Sequence, residues 1–267
     1  MELGVMECPT CSGKDFDEHM ICQHCGNKLI CVSKGKGITG MNVAMEEGVR
    51  RLPVYLLLDC SGSMYGDPIK AVKKGVNTFI KEVKSDSITK DTVYVGVITF
   101  GKTVEFITEG LVHIDKFYPP ELEADGSTPL GRALEILQTS IDRDVKPSVK
   151  GKERGDWKPL VFILTDGEPT DDWQTPRQEI LNRQNRKVVN VITVGCGPGI
   201  NETKLKAIAI GHAFRMDNSE ESFRQFFQWV SQSVKSASKI VSQASGSSGE
   251  QKITMQQPPP QLIYINL

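Results

Sequence analysis

The stretch Val54-Tyr-Leu-Leu-Leu-Asp-Cys-Ser-Gly-Ser-Met64 sets the reading of the whole chain. Its apolar run, Val54 to Leu58, has no polar face, which is the pattern of a strand buried on both sides in a parallel sheet. The run stops at Asp59, and two hydroxyls follow at alternate positions, Ser61 and Ser63, with Gly62 between them. One carboxylate and two hydroxyls are hard oxygen donors. They suit Mg²⁺, which takes an octahedron of oxygens at about 2.0–2.1 Å and keeps several waters. A divalent-cation site at the carboxyl end of a central strand is the first expectation, because open α/β sheets bind their ligands there.

Working outward, a second unbroken run, Pro159-Leu-Val-Phe-Ile-Leu-Thr165, also stops at an acid, Asp166-Gly-Glu-Pro. Strands and helices alternate from Arg50 onward. Asp67-Pro68 opens a helix with Pro at its first position. Ile69, Val72, Val76, Phe79, Ile80 and Val83 give that helix one apolar face, and Lys70, Lys73, Lys74, Lys81 and Lys84 fill its solvated face. Thr92–Phe100 reads as a strand, and Gly101-Lys102 turns directly into Thr103–Thr108. So short a connection permits only an antiparallel hairpin, which puts this third strand at a sheet edge. Residues 109–128 read as a long loop ending in Ser127-Thr128, and Pro129 starts the next helix. Residues 142–158 read as a polar surface excursion, Val188–Val194 as a fifth strand, 201–210 as a short helix and Ala213–Met216 as a short strand. Ser219–Val234 closes the domain as an aromatic-faced helix with Phe223, Phe226, Phe227 and Val230. The expected architecture is a doubly wound α/β domain, with a mostly parallel six-stranded sheet, one antiparallel edge strand and helices on both faces.

The ends differ in character. Cys8-Pro-Thr-Cys11 and Cys22-Gln-His-Cys25 are two C-x-x-C knuckles, each followed closely by Gly. Four thiolates on two tight turns make a tetrahedral Zn²⁺ site of the ribbon type, and in so small a segment the metal supplies the folding energy. A redox C-x-x-C is the alternative, and the doubled motif argues against it. His24 reads as solvent-facing and Cys31 as a small hydrophobe. After Ser236 the composition turns to Ser, Gly and Gln, then Pro258-Pro-Pro260, and ends in the β-prone Leu262-Ile-Tyr-Ile-Asn-Leu267. The expected division is a zinc ribbon over 1–33, a linker over 34–48, the α/β domain over 49–237 and a flexible tail over 238–267.

Composition bounds the function classes. With 267 residues, 39% hydrophobic and 24% charged, the chain can build one large core plus a small module. A net charge of −1 gives no electrostatic drive toward nucleic acid or an anionic membrane. No apolar run reaches the roughly 20 residues of a membrane span. The acidic start, Met1 to Glu7, lacks a signal-peptide core, so a cytoplasmic protein with reduced thiols is expected.

Right-handed crossovers bring the ends of the two apolar strands to one edge of the sheet, and the loop before Pro129 reaches the same edge. Asp59, Ser61, Ser63, Ser127-Thr128 and Asp166 would then surround one cation and leave one position for an outside oxygen. Here the chain resembles the von Willebrand factor A domains that carry a metal-ion-dependent adhesion site. The Asp-x-Ser-x-Ser motif is Asp59, Ser61 and Ser63, the family threonine matches Thr128, and the later aspartate matches Asp166 in Leu-Thr-Asp-Gly. The resemblance implies Mg²⁺ (or Mn²⁺ or Ca²⁺) held directly by Ser61, Ser63 and Thr128. Asp59 and Asp166 would act through waters or hydroxyls, and a partner's Asp or Glu carboxylate would take the open position. Arg51-Leu-Pro-Val-Tyr-Leu-Leu-Leu-Asp, Gly155-Asp-Trp-Lys-Pro-Leu-Val-Phe and Thr165-Asp-Gly-Glu-Pro-Thr-Asp-Asp-Trp173 are similar to the bacterial tellurite-resistance, TerY-like branch. That likeness implies a stress or defence module with a protein kinase and a metal-dependent phosphatase as partners.

Competing readings are weaker. The Gly-Lys stretch at 34–48 lacks the Lys-Ser/Thr ending of a P-loop. A Mg²⁺-dependent hydrolase or phosphotransferase lacks a nucleophile elbow and kinase motifs, and its base would have to be Glu168 or Asp59. Nucleic-acid binding through the ribbon is opposed by Asp15, Asp17 and Glu18 against only Lys14 and Lys28. Some members of the family bind partners without metal, so a cage that never fills is the bland alternative. Glu168, Asp171 and Asp172 read first as acids capping the next helix, and second as outer supports of the site. Cys60, between the ligands, is expected to point its thiol into the core. Leu262–Leu267 can add as a strand to a sheet edge, on its own domain or, by self-association, on a neighbour.

Overall fold

A computed structural model describes residues 50–147, 155–182, 189–243 and 255–265. The four ribbon cysteines, Cys8, Cys11, Cys22 and Cys25, and the linker at 34–48 lie outside these residues. Strand β1 (Leu52–Cys60) is buried at all nine positions, as its unbroken apolar run predicts. It sits at the centre of an eight-stranded sheet. On one side it pairs in parallel with β2 (Val93–Gly101), whose outer edge carries the antiparallel β3 (Val104–Phe106) and the short β4 (Val112–His113). On the other side it pairs in parallel with β5 (Leu160–Thr165), followed outward by β6 (Asn190–Cys196) and β7 (Gly211–Met216), also parallel. The last strand, β8 (Ile263–Tyr264), adds antiparallel to β7.

Alternation along β1 divides the core into two layers. Leu56 and Leu58 face α1 (Asp67–Lys84) and the C-terminal helix, α6 (Glu220–Gln243). Tyr55 and Leu57 face α3 (Leu130–Asp144) and α4 (Gln174–Leu181). Two short helices complete the α-helices among the described residues: α2 (Ser87–Thr92), capped by Asp86, and α5 (Glu202–Ile208), capped by Asn201. Both faces are covered, so the doubly wound expectation holds.

Three expectations change. The sheet has eight strands and antiparallel strands on both edges, where six strands and one such edge were expected. The additions, β4 and β8, are each two residues long, too short for periodicity to mark them, although β8 is the edge addition on its own domain that Leu262–Leu267 was read as able to make. The tail is not wholly outside the fold. Helix α6 runs on to Gln243, and residues 255–265 return as a strap across the β7 edge. Leu262 enters the α1/α6 core layer, while Ile265 packs with Leu205, Ala209 and Ala213. The excursion at 142–158 ends buried, because Asp156 and Trp157 dock at the amino end of β1.

Candidate metal centre

Chain order creates a crevice. From β1 the chain moves outward through β2 to β3, then crosses back to β5 on the opposite side of β1 and continues outward to β7. The direction therefore reverses between β1 and β5, and the carboxyl ends of these two strands flank the opening where such sheets bind ligands. Asp59 and Asp166 stand at those two ends.

Asp59 is fully buried. Its Oδ1 accepts the Ser61 N–H (2.8 Å), and its Oδ2 accepts the Thr165 hydroxyl (2.5 Å). It thus braces the turn after β1 and ties that turn to β5. Ser61 and Ser63 lie on either side of a tight turn, with their hydroxyls 3.0 Å apart, and the Ser63 hydroxyl donates to Asp166 Oδ1 (2.6 Å). The loop ending at Thr128 is laid over the same rim by its backbone. Asp125 N–H donates to Cys60 O (2.9 Å), Lys102 N–H to Asp125 O (2.7 Å) and Gly62 N–H to Gly126 O (2.9 Å). Gly126 has φ +83°, and a Cβ there would lie 2.5 Å from Lys102 Cα, so both its conformation and its surroundings demand glycine. Thr128 is buried, and its Oγ1 lies 3.2 Å from where a Cβ on Gly167 would stand. The hydroxyl therefore sits beside the residue that follows Asp166. All five candidate ligands meet at one rim.

Burial pushes the Asp59 carboxyl above the usual carboxylate range, and the Asp166 charge adds to this against the bonds from Ser61 and Thr165. Burial likewise raises Asp166 against its bond from Ser63. Among the described residues, neither carboxylate has a Lys, Arg or His among its hydrogen-bond partners. Two neighbouring acids with no cationic hydrogen-bond partner among the described residues, beside the hydroxyls of Ser61, Ser63 and Thr128, form a donor set that fits a hard divalent ion. Soft donors are withheld. Cys60 is buried in the core as expected, with its thiol pushed up to about 12 chiefly by burial. Cys196 is buried too, and burial raises it well above its ordinary value. No three His, Cys, Asp or Glu side chains cluster as a metal cage among the described residues; the candidate set here is two carboxylates and three hydroxyls.

The neighbouring acids separate by role. Asp172 caps α4 as expected, accepting from Gln174 N–H (3.0 Å), Thr175 N–H (3.3 Å) and the Thr175 hydroxyl (2.6 Å). Asp171 instead caps the preceding helix, α3, through Gly131 and Arg132. Glu168, among the described residues, caps no helix; it pairs with Lys204 and accepts from Asn201 Nδ2 (2.8 Å). The sequence reading missed Thr165. Its signal was available: parallel register sets Leu58 beside Leu164, so the next pair, Asp59 and Thr165, are neighbours.

The chain is 29% identical over 137 residues to human inter-alpha-trypsin inhibitor heavy chain H6, covering 48% of this chain and 10% of that protein. It is 29% identical over 198 residues to an uncharacterized Synechocystis protein, covering 68% of this chain and 43% of the relative. The chain thus spans less than half the length of these curated relatives. The pilus adhesin SpaC of Lactobacillus rhamnosus GG shares the fold, with a TM-score of 0.55 at 14% identity over 70% of this chain and 30% of that one. A profile of the von Willebrand factor type A domain matches residues 54–229, from the middle of β1 into α6, and the chain belongs to that family.

Proposed function

We propose that this chain is a cation-dependent protein-binding module whose ligand-holding residues are Asp59, Ser61, Ser63, Thr128 and Asp166. The observation that carries this reading is the meeting of two uncompensated acids and three hydroxyls at the switch-point crevice. Ser61, Ser63 and Thr128 would hold Mg²⁺, or Mn²⁺ or Ca²⁺, directly. Asp59 would fix the serine turn, and Asp166 would orient the Ser63 hydroxyl. When bound, the ion supplies an open coordination position for a partner's Asp or Glu carboxylate. Adhesion in the named relative SpaC supports a binding role by analogy of fold alone.

The setting follows from the TerY-like resemblance: a cytoplasmic bacterial stress-resistance or defence assembly with a kinase and a metal-dependent phosphatase as partners. The Zn²⁺ ribbon on Cys8, Cys11, Cys22 and Cys25 would serve as a second protein-docking element. Among the described residues, a hydrolase reading gains no base from histidine. His113 pairs with Tyr94 near the start of β2, and His212 lies near the start of β7. Both sit at the amino ends of the parallel strands, opposite the crevice. Affinity capture with the full chain tests the proposal. The same partner is expected to be retained with Mg²⁺, released by chelator and lost in Asp59→Ala with the fold intact by circular dichroism. Retention by that variant, or in chelator, refutes the cation bridge.

A further inference from the structure

The Asp-x-Ser-x-Ser turn holds its own geometry, but Thr128 depends on others. It precedes α3, and the cap residue of that helix is Pro129, whose side chain makes no cap hydrogen bond. A helix start leaves its first N–H groups without partners, and proline has no side-chain oxygen to meet them. Here they are met from elsewhere. Leu130 N–H donates to Thr128 O (2.9 Å), Gly131 N–H to Asp171 Oδ1 (2.8 Å) and Arg132 N–H to Asp171 Oδ2 (2.9 Å). The same Thr128 carbonyl accepts a second bond, from Thr170 N–H (3.0 Å). The fit is close: a Cβ on Gly131 would lie 2.1 Å from Asp172 O and 3.0 Å from Asp171 Oδ2.

We propose that Asp171 is the positioning residue of the cation site: its carboxylate clamps the loop carrying Asp166 onto the first turn of α3 and so fixes where the Thr128 hydroxyl stands. Asp171 is not a ligand. Both its oxygens are engaged by α3, and its charge lies at the positive end of that helix, which strengthens the clamp. It joins the loop after β5 to two residues of α3, Gly131 and Arg132. Ligand Asp166 is five residues upstream of the clamp, and ligand Thr128 is three residues upstream of its first anchor, Gly131. Without Asp171, the Thr170–Thr128 backbone bond is the remaining direct hydrogen bond between these two loops among the described residues, beside the bonds that tie Thr128's loop to Cys60 and Gly62. The clamp also explains why two adjacent acids, Asp171 and Asp172, are needed: each caps a different helix, one backward and one forward.

This inference rests on the cation reading, and its test separates the two. The full chain is titrated with Mn²⁺ for affinity and with Eu³⁺ for the number of bound waters, read from luminescence decay in H₂O and D₂O. Thr128→Val is expected to add one water to bound Eu³⁺, because a ligand oxygen is lost. Asp171→Ala is expected to add the same water and to weaken Mn²⁺ about tenfold or more, the range seen when an outer-shell partner is removed. The double variant should be no worse than Thr128→Val alone, since residues acting through one another are not additive. Asp171→Asn keeps one acceptor oxygen and should fall between wild type and Asp171→Ala; it also serves where Asp171→Ala fails to fold. A folded Asp171→Ala with unchanged hydration and affinity overturns the proposal, as does a double variant whose losses add. Failure of the wild-type chain to bind either ion overturns the cation reading and this inference with it.

Discussion

Breaking the ion pair at the amino end of β1 should unfold the domain more readily than any surface change while sparing the crevice. Arg51 and Asp156 meet side by side: Nε to Oδ1 at 2.8 Å and Nη2 to Oδ2 at 2.5 Å. The side chains are 21% and 4% exposed, so the pair is largely out of water. Asp156 also accepts Lys146 N–H (2.7 Å), and Arg51 donates to Asp144 O (2.7 Å) and lies over the Tyr94 ring at 4.9 Å. Asp156→Ala would leave the guanidinium buried with only part of its partners. Removing one member of a buried pair costs about 3–5 kcal/mol. At about 2–4 °C per kcal/mol for a domain of this size, Tm should fall by about 6–20 °C. Urea unfolding followed by circular dichroism gives the free energy directly. The companion variant Arg51→Met with Asp156→Leu removes both charges and should return to within about 1 kcal/mol of wild type or exceed it, since an apolar pair carries no desolvation cost. Mn²⁺ affinity should be unchanged in the companion, because Arg51 and Asp59 are separated by most of β1, about 26 Å at the strand rise. Loss of under about 1 kcal/mol in Asp156→Ala, or a companion as unstable as the single variant, would refute the argument.

Two further outcomes are expected. Asp86 caps α2 by accepting Thr89 Oγ1–H (2.6 Å) and Thr89 N–H (2.9 Å), and these bonds, the hydroxyl's first, hold its carboxyl below the usual range. Its folded pKa lies below its unfolded one, so its contribution is present above the unfolded value near about 3.9 and is lost as pH falls through the folded value. Asp86→Ala should therefore cost about 1 kcal/mol in urea unfolding at pH 7 and little once wild-type Asp86 is protonated; an equal deficit at both pH values would refute the capping account. Ending the chain at Pro260 removes the buried Leu262 and Ile265 and the bond between His212 Nδ1 and the Tyr264 hydroxyl. Burial of the two aliphatic side chains is worth about 3–6 kcal/mol, and the uncovered β7 edge should raise light scattering with concentration. An unchanged Tm in the shortened chain would show that the strap is dispensable.

What the sequence discloses depends on how far apart the cooperating residues lie. β1 and β5 are legible because a strand buried on both faces must be apolar throughout, and each ends at an acid. Asp59, Ser61 and Ser63 are legible because one turn holds them, so their spacing is their geometry. The strap is legible as β-prone residues able to add to a sheet edge, and β8 does so on β7 of its own domain. Its two-residue strand gains its place from Leu262 and Ile265, whose partners lie on different layers of the core. Asp156 is hidden by polar neighbours, because its fit to Arg51 spans 105 positions and leaves no periodic trace. Asp171 and Asp172 look identical in sequence, yet Asp172 closes α4 and Asp171 closes α3, a distinction set by distant Pro129 failing to cap its own helix. Ligands that share a turn can thus be read locally, whereas the groups that aim them are tertiary and look like ordinary caps. The dependence of Thr128 on Asp171 is of this second kind: the threonine's role is suggested by its motif, but its position is owed to an acid that no motif includes.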